Sequence, residues 1–145
     1  MNWDKYYLGI CKAVAANCKC HSRQIGAILV KDKSIISTGF NGPPRGIKHC
    51  NPCPRKAQGF LSGEGLHLCP AVHTEVNCIA QAARNGVNTS DSTIYMTCGI
   101  PCKACLGVII NAGVKVIVCT SLDYYDELSK SIVSQAEILI RLYDV

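Results

Sequence analysis

From Thr93 to Cys119 the chain runs TIYMTCGIPCKACLGVIINAGVKVIVC. Thr93–Met96 and Lys115–Cys119 are short apolar runs rich in β-branched and aromatic residues, which reads as strand. Between them, the segment from about Cys102 to Ala112 carries an apolar helical pattern, and Pro101 favours a helix start there because proline is tolerated at the first turn. The flanking segments continue the alternation. Trp3–Ala16 places Tyr6, Tyr7, Ile10 and Val14 at helical spacing. Gln24–Val30 and Ser34–Phe40, joined by the polar Lys31-Asp32-Lys33, read as a hairpin. Helices are expected at about His73 to Asn85 and from about Asp126, and the late apolar ILIRL reads as an edge strand. Strands alternating with helices after an initial hairpin argue for a three-layer α/β/α fold, with a central mixed sheet of about five strands and helices on both faces. A chain of 145 residues can bury a proper core as one domain spanning residues 1–145.

One stretch does not fit the alternation. NGPPRG, from Asn41 to Gly46, breaks regular structure, and from Gly46 to Pro70 the chain is rich in Gly, Pro, Cys and His and poor in periodicity. It reads as a long irregular insertion, and loops of that length are uncommon unless functional or tied down. Several of the eleven cysteines lie there. An odd number of cysteines, an N-terminal segment without a signal-peptide core, and the absence of a membrane-spanning apolar run all argue against a secreted disulfide framework. The expected setting is the reducing cytoplasm (host cytoplasm for a viral protein), where clustered cysteines point to metal or catalysis. Cys11, Cys78 and Cys119 sit within apolar periodic runs and read as small buried hydrophobes. The net charge of +5 is scattered, so no nucleic-acid partner is expected, whereas a small anionic substrate fits.

Cys102 and Cys105 are three apart at a helix start, so both can face one metal, and the helix N-terminus favours the thiolate needed for ligation. His73 and Glu75 are two apart and cannot both lie on one regular helical face, so they belong to an irregular helix start. Taken together, His73, Cys102 and Cys105 give three protein ligands, the count of a catalytic zinc whose fourth position is open to water. Two thiolates make that zinc a weaker Lewis acid than an all-histidine site, and a nearby non-ligating carboxylate is then needed to move protons. Glu75 is that carboxylate. A redox pair or half of a structural knuckle would explain Cys102 and Cys105 alone, but would leave Glu75 without a role.

His-x-Glu followed by Pro-Cys-x-x-Cys resembles the signature of the zinc-dependent nucleobase deaminases. GAILVKDKSIISTGFNGPPRG, VHTEVNCIAQAARNG and IPCKACLGVIINAGVKVIV look like the deoxycytidylate (dCMP) branch of that family, over roughly Lys19 to Asp126. The resemblance implies hydrolytic deamination of dCMP to dUMP at C4 with a zinc-activated water, Glu75 protonating N3 and then the leaving ammonia. It further implies that Asn41 contacts the sugar, that Tyr124 and Asp126 lie near the substrate, and that Ser22, Arg23 and Arg45 are candidates for the phosphate. Thr74 stands where many relatives have alanine, as does Cys78, to which no chemical role falls. Family members are commonly hexamers activated by dCTP and inhibited by dTTP, so an assembly of identical chains, with an effector site near GFNGPPRG, is also implied.

The remaining cysteines suggest a second, structural zinc. Cys20, Cys50, Cys53, His67 and Cys69 compete for four positions around the insertion, with Cys20, Cys50 and Cys69 favoured and His67 and Cys53 contending for the last. His21 and His49 lie nearby. Some relatives carry such a site, with cysteines matching Cys20 and Cys50. Alternative readings are direct action on dCTP, a cytidine, riboflavin-pathway or tRNA adenosine deaminase, and a non-catalytic zinc-stabilised binding module.

Overall fold

The computed structural model describes residues 1–145. In chain order the elements are α1 (Trp3–Ala15), β1 (Gly26–Lys31), β2 (Ser34–Phe40), α2 (Pro54–Ala57), α3 (Thr74–Arg84), β3 (Thr93–Met96), α4 (Lys103–Asn111), β4 (Val116–Cys119), α5 (Glu127–Gln135) and β5 (Leu139–Leu142). The five strands form one mixed sheet in the order β2-β1-β3-β4-β5. β1 is antiparallel to both β2 and β3, whereas β3, β4 and β5 are parallel, with Ile94 opposite Ile117 and Ile117 opposite Ile140.

Central strands show why these sequences take this arrangement. Along β1, Ala27 and Leu29 point to one face and Ile28 and Val30 to the other, as the two-residue period of a strand requires. All four are buried, because β1 is covered on both sides. On one face α3 and α4 pack Cys78, Ala82, Leu106 and Ile109 against Leu29, Ile94, Met96 and Ile117. On the other, α1 packs Tyr7 and Cys11 against Ile28, Tyr95 and Val118. Gly39 permits the close approach of β2 to α3, since a Cβ there would lie 2.5 Å from the Cys78 backbone nitrogen. The expected three-layer fold is the observed one.

Two local expectations need correction. Tyr6 is 52% exposed, so the buried stripe of α1 runs through Asp4, Tyr7, Cys11 and Ala15. The ring of Tyr6 instead packs edge-on against Trp3 on the outer side, at 5.9 Å between centroids. The insertion is also less irregular than its composition suggests: it holds α2 and a single 3-10 turn at Leu66–Leu68. Its neck is closed by a two-way backbone bridge between Gly42 and Val72, which brings the ends of the insertion together beside α3.

Candidate active site and metal centre

The N-termini of α3 and α4 meet at one edge of the sheet. His73 is the N-cap of α3 and Cys102 that of α4, both with extended backbone, while Glu75 and Cys105 lie within the first turns. The His73 Nδ1 is 3.6 Å from the Cys102 sulfur and 3.3 Å from the Cys105 sulfur. All three ligand atoms lie within 4.8 Å of one another. A tetrahedral zinc with ordinary Zn–N and Zn–S bonds would separate nitrogen from sulfur by about 3.6 Å. The donor set and its spacing therefore fit zinc.

The electrostatics of this trio suit ligation. Hydrogen bonds from Cys105 and His73 push the Cys102 thiol down to about 4, favouring a thiolate at neutral pH. Cys105, buried beside that thiolate, is pushed up, and the His73 imidazole is raised chiefly by its bond with Cys102. Metal binding would replace these shared protons.

Glu75 is only 6% exposed, yet it lines the main cavity of the molecule, 660 Å³ in volume, together with His73 and Cys102. Its Oε1 accepts from the Cys98 thiol at 3.7 Å. Burial and the Glu75 charge push the Cys98 thiol up, so Cys98 keeps the proton it donates. Ser22, Arg23, Asn41 and Tyr124 also line this cavity. The Asn41 side chain is largely engaged in holding the approach to β1: its Oδ1 accepts from the Ile25 N–H at 2.9 Å and its Nδ2 donates to the Arg23 carbonyl at 3.0 Å. The Thr74 hydroxyl donates to the Ile25 carbonyl, so the backbone of Ile25 is held at both its N–H and its carbonyl.

Arg45 and Asp126 are not among the residues lining the cavity. Asp126 instead caps α5, accepting from the Ser129 N–H at 2.6 Å and, with its other oxygen, from the Lys103 N–H at 3.2 Å. It therefore fixes the start of α4 beside Cys102. Arg55 and Cys98 line the cavity but carry no motif that singles them out in the sequence. Cys98 could have been noticed as a cysteine just ahead of Pro-Cys-x-x-Cys, whereas Arg55 depends on how the insertion folds.

A second cluster sits behind this wall. Cys20, Cys50, Cys53 and Cys69 surround a cavity of 40 Å³, with His21 and His49 at its rim. His67 is absent from that lining and packs edge-on against Phe60 at 6.3 Å. Burial, followed by the charges of Cys69, Cys53 and Cys20, pushes the Cys50 thiol up, and a backbone hydrogen bond from Lys56 lowers that of Cys53.

The family model described as the cytidine and deoxycytidylate deaminase zinc-binding region matches residues 1–121, the stretch containing the His73, Cys102 and Cys105 trio. The chain belongs to this family. It is 36% identical over 122 residues to a deoxycytidylate deaminase of Mycobacterium phage D29, covering 81% of this chain and 93% of that relative. A deoxycytidylate deaminase of Schizosaccharomyces pombe is 31% identical over 144 residues, which is 98% of this chain but 44% of the yeast protein. The fold is that of the dCMP deaminase from the cyanophage S-TIM5, solved in complex with dCMP and dUMP. That structure superimposes with a TM-score of 0.76 at 23% identity, over 95% of this chain and 94% of its own. No helix is long and apolar enough to cross a membrane.

Proposed function

We propose that this chain is a deoxycytidylate deaminase, converting dCMP and water to dUMP and ammonia. The observation that carries the reading is a buried carboxylate, Glu75, facing the same cavity as a His-Cys-Cys trio with zinc-ligand spacing. His73, Cys102 and Cys105 would hold the zinc, which would supply the Lewis acidity that lowers the pKa of a water toward neutrality. Glu75 takes a proton from the water that adds to C4 and passes it to N3, breaking the aromatic ring system. Glu75 then takes the proton of the hydroxyl now on C4 and delivers it to the amino group as the C4–N bond breaks and the carbonyl forms, so water and amine exchange with no net redox change. Cys98 holds one Glu75 oxygen, leaving the other free for this transfer. Asn41 and Thr74 fix the Ile25 backbone at the cavity wall, and the presence of Tyr124, Ser22 and Arg23 in the lining of the same cavity supports a role for them in holding sugar and phosphate.

The test is ammonia release from dCMP, dCTP, cytidine and an adenosine-containing RNA stem. Preference for dCMP supports the reading, and equal turnover of cytidine would assign the chain to nucleoside chemistry.

A second, structural zinc belongs to this proposal, with Cys20, Cys50, Cys53 and Cys69 as ligands. Four cysteines lining one small cavity support it, and because His67 lies outside that lining, Cys53 is favoured over His67. A closed tetrahedral site would offset the entropy of ordering an insertion poor in buried apolar residues. The reading also includes a homo-oligomer, a hexamer by family precedent, and control by dCTP and dTTP. Leu139 and Leu142 on the edge strand β5 are 57% and 46% exposed, apolar surface that an assembly could cover. Light scattering tests the assembly, and dCMP saturation curves with and without each triphosphate test the control.

A further inference from the structure

We infer that Arg55, on the insertion, is the residue that makes this site select a phosphorylated substrate; the inference rests on the dCMP deaminase reading and assigns its specificity. The sequence offers Arg23 and Arg45 for this role. Arg23 is exposed, and Arg45 is exposed and outside the cavity. Arg55 differs from both: it is only 9% exposed, yet it lines the main cavity together with Glu75 and His73.

A buried guanidinium normally has a carboxylate partner. Arg55 has none, since the one close ion pair in the molecule joins Asp4 and Arg141. Neutral carbonyls hold it instead. Its Nε donates to the Glu64 carbonyl at 2.6 Å and its Nη2 to the Leu61 carbonyl at 3.4 Å. The Glu64 carboxylate, which also reaches the cavity, is turned back to accept the Leu61 N–H at 3.0 Å. The Leu61–Glu64 turn thus wraps one side of the guanidinium and fixes its plane without neutralising its charge.

Nη1 has no protein partner, and no buried side-chain nitrogen or oxygen lacks a partner, so Nη1 is solvent-accessible on a residue that lines the cavity. A cation with its plane fixed and one edge free is preorganised for an anion with several acceptor oxygens. Preorganisation matters because an exposed arginine such as Arg23 must lose side-chain freedom to make the same contact. With the cytosine ring at Glu75, the anion that reaches Arg55 from the same molecule is a 5′-phosphate. Arg23, from the lead-in to β1, adds a second positive charge to the same cavity.

Arg55 also lines the small thiol-walled cavity, and Cys53 is the N-cap of the short helix that carries it. Its position is therefore adjacent to the cysteines of the second cavity.

The experiment measures kcat/KM for dCMP and for deoxycytidine in the parent, Arg55→Gln, Arg55→Lys, Arg23→Gln and Arg45→Gln, each with zinc content checked. Loss of a desolvated charge partner should lower the dCMP-to-deoxycytidine selectivity ratio of Arg55→Gln about 30-fold or more, mainly through KM. Arg55→Lys keeps the charge but not the fork and should fall between parent and Arg55→Gln; it provides the same reading should the glutamine variant fail to fold. Arg23→Gln should lower the ratio less than Arg55→Gln, and Arg45→Gln should leave it at the parent value. Inorganic phosphate, used as a probe, should protect the parent against thermal unfolding more than it protects either Arg55 variant. A selectivity ratio retained in both Arg55 variants, with the parent strongly preferring dCMP, overturns the role of Arg55 alone. A parent that turns over deoxycytidine as well as dCMP overturns the nucleotide reading and this assignment together.

Discussion

Glu75→Gln separates proton transfer from everything else the site does. The side chain is 6% exposed and fills the cavity floor beside Cys98, and glutamine has nearly the same shape. Its amide oxygen can still accept the Cys98 thiol, so packing and the metal trio should survive. Removing a buried charge should not lower the thermal midpoint either. What disappears is a group able to take a proton from water and return it to the ring and the leaving amine. Positioned general acid–base groups contribute about 10²- to 10⁴-fold, so turnover should fall by that factor, about 3–5 kcal/mol in the barrier. The assay is the initial rate of the absorbance change as cytosine becomes uracil, with zinc per chain measured on the same sample. A zinc-loaded Glu75→Gln protein working within about threefold of the parent would refute the assignment, because no general acid–base role is that small.

Cys102→Ala should behave differently, losing zinc and activity together because two ligands remain; full metal retention would remove Cys102 from the ligand set. Cys50→Ser should lower the zinc content from about two to about one per chain and reduce thermal stability while the catalytic metal stays, and a parent holding about one zinc that Cys50→Ser does not change would show that the insertion is ordered otherwise. Asp4→Asn tests an acid-sensitive contact between the two ends of the chain. Hydrogen bonds from Arg141, at 2.6 and 3.0 Å, hold the Asp4 carboxyl below its ordinary value. With a depressed folded-state pKa, that stabilisation is present above the unfolded-state value of about 3.9 and is lost as pH falls through the folded-state value. Arg141 is 37% exposed, which limits the effect to about 1 kcal/mol. Urea midpoints at about pH 6 and about pH 3 should therefore diverge more in the parent than in Asp4→Asn, and equal shifts in the two would refute the linkage.

Much of the architecture was legible because it is written in local patterns. The β-branched runs at Thr93–Met96 and Val116–Cys119 and the apolar helix between them give the parallel centre of the sheet, and the two helix starts are marked by His-x-Glu, which breaks helical spacing, at His73 and by Pro101 ahead of Cys102. Less legible was anything that depends on how the insertion closes. Its composition indicates a loop, but the Gly42–Val72 bridge, and the single pocket lined by Cys20 together with Cys50, Cys53 and Cys69, join residues far apart in sequence. Arg55 escaped notice for that reason, since its burial and its carbonyl partners exist only once the Leu61–Glu64 turn forms.

Asp126 shows how a family resemblance and a physical role can differ. Its place after the last core strand suggests a substrate contact, yet both oxygens are engaged by backbone N–H groups, one opening α5 and the other opening α4. At α3 the Asn77 side chain does comparable work, donating to the Phe40 carbonyl at 2.8 Å and the Val72 carbonyl at 3.2 Å. The start of α3 is thereby tied to β2, and the start of α4 to α5. His73 and Cys102 extend from those two starts as N-caps, so the placement of each rests in part on side-chain-to-backbone bonds outside the trio. A trio held in this way would need little rearrangement to accept zinc, because these supporting bonds, rather than further ligands, orient it.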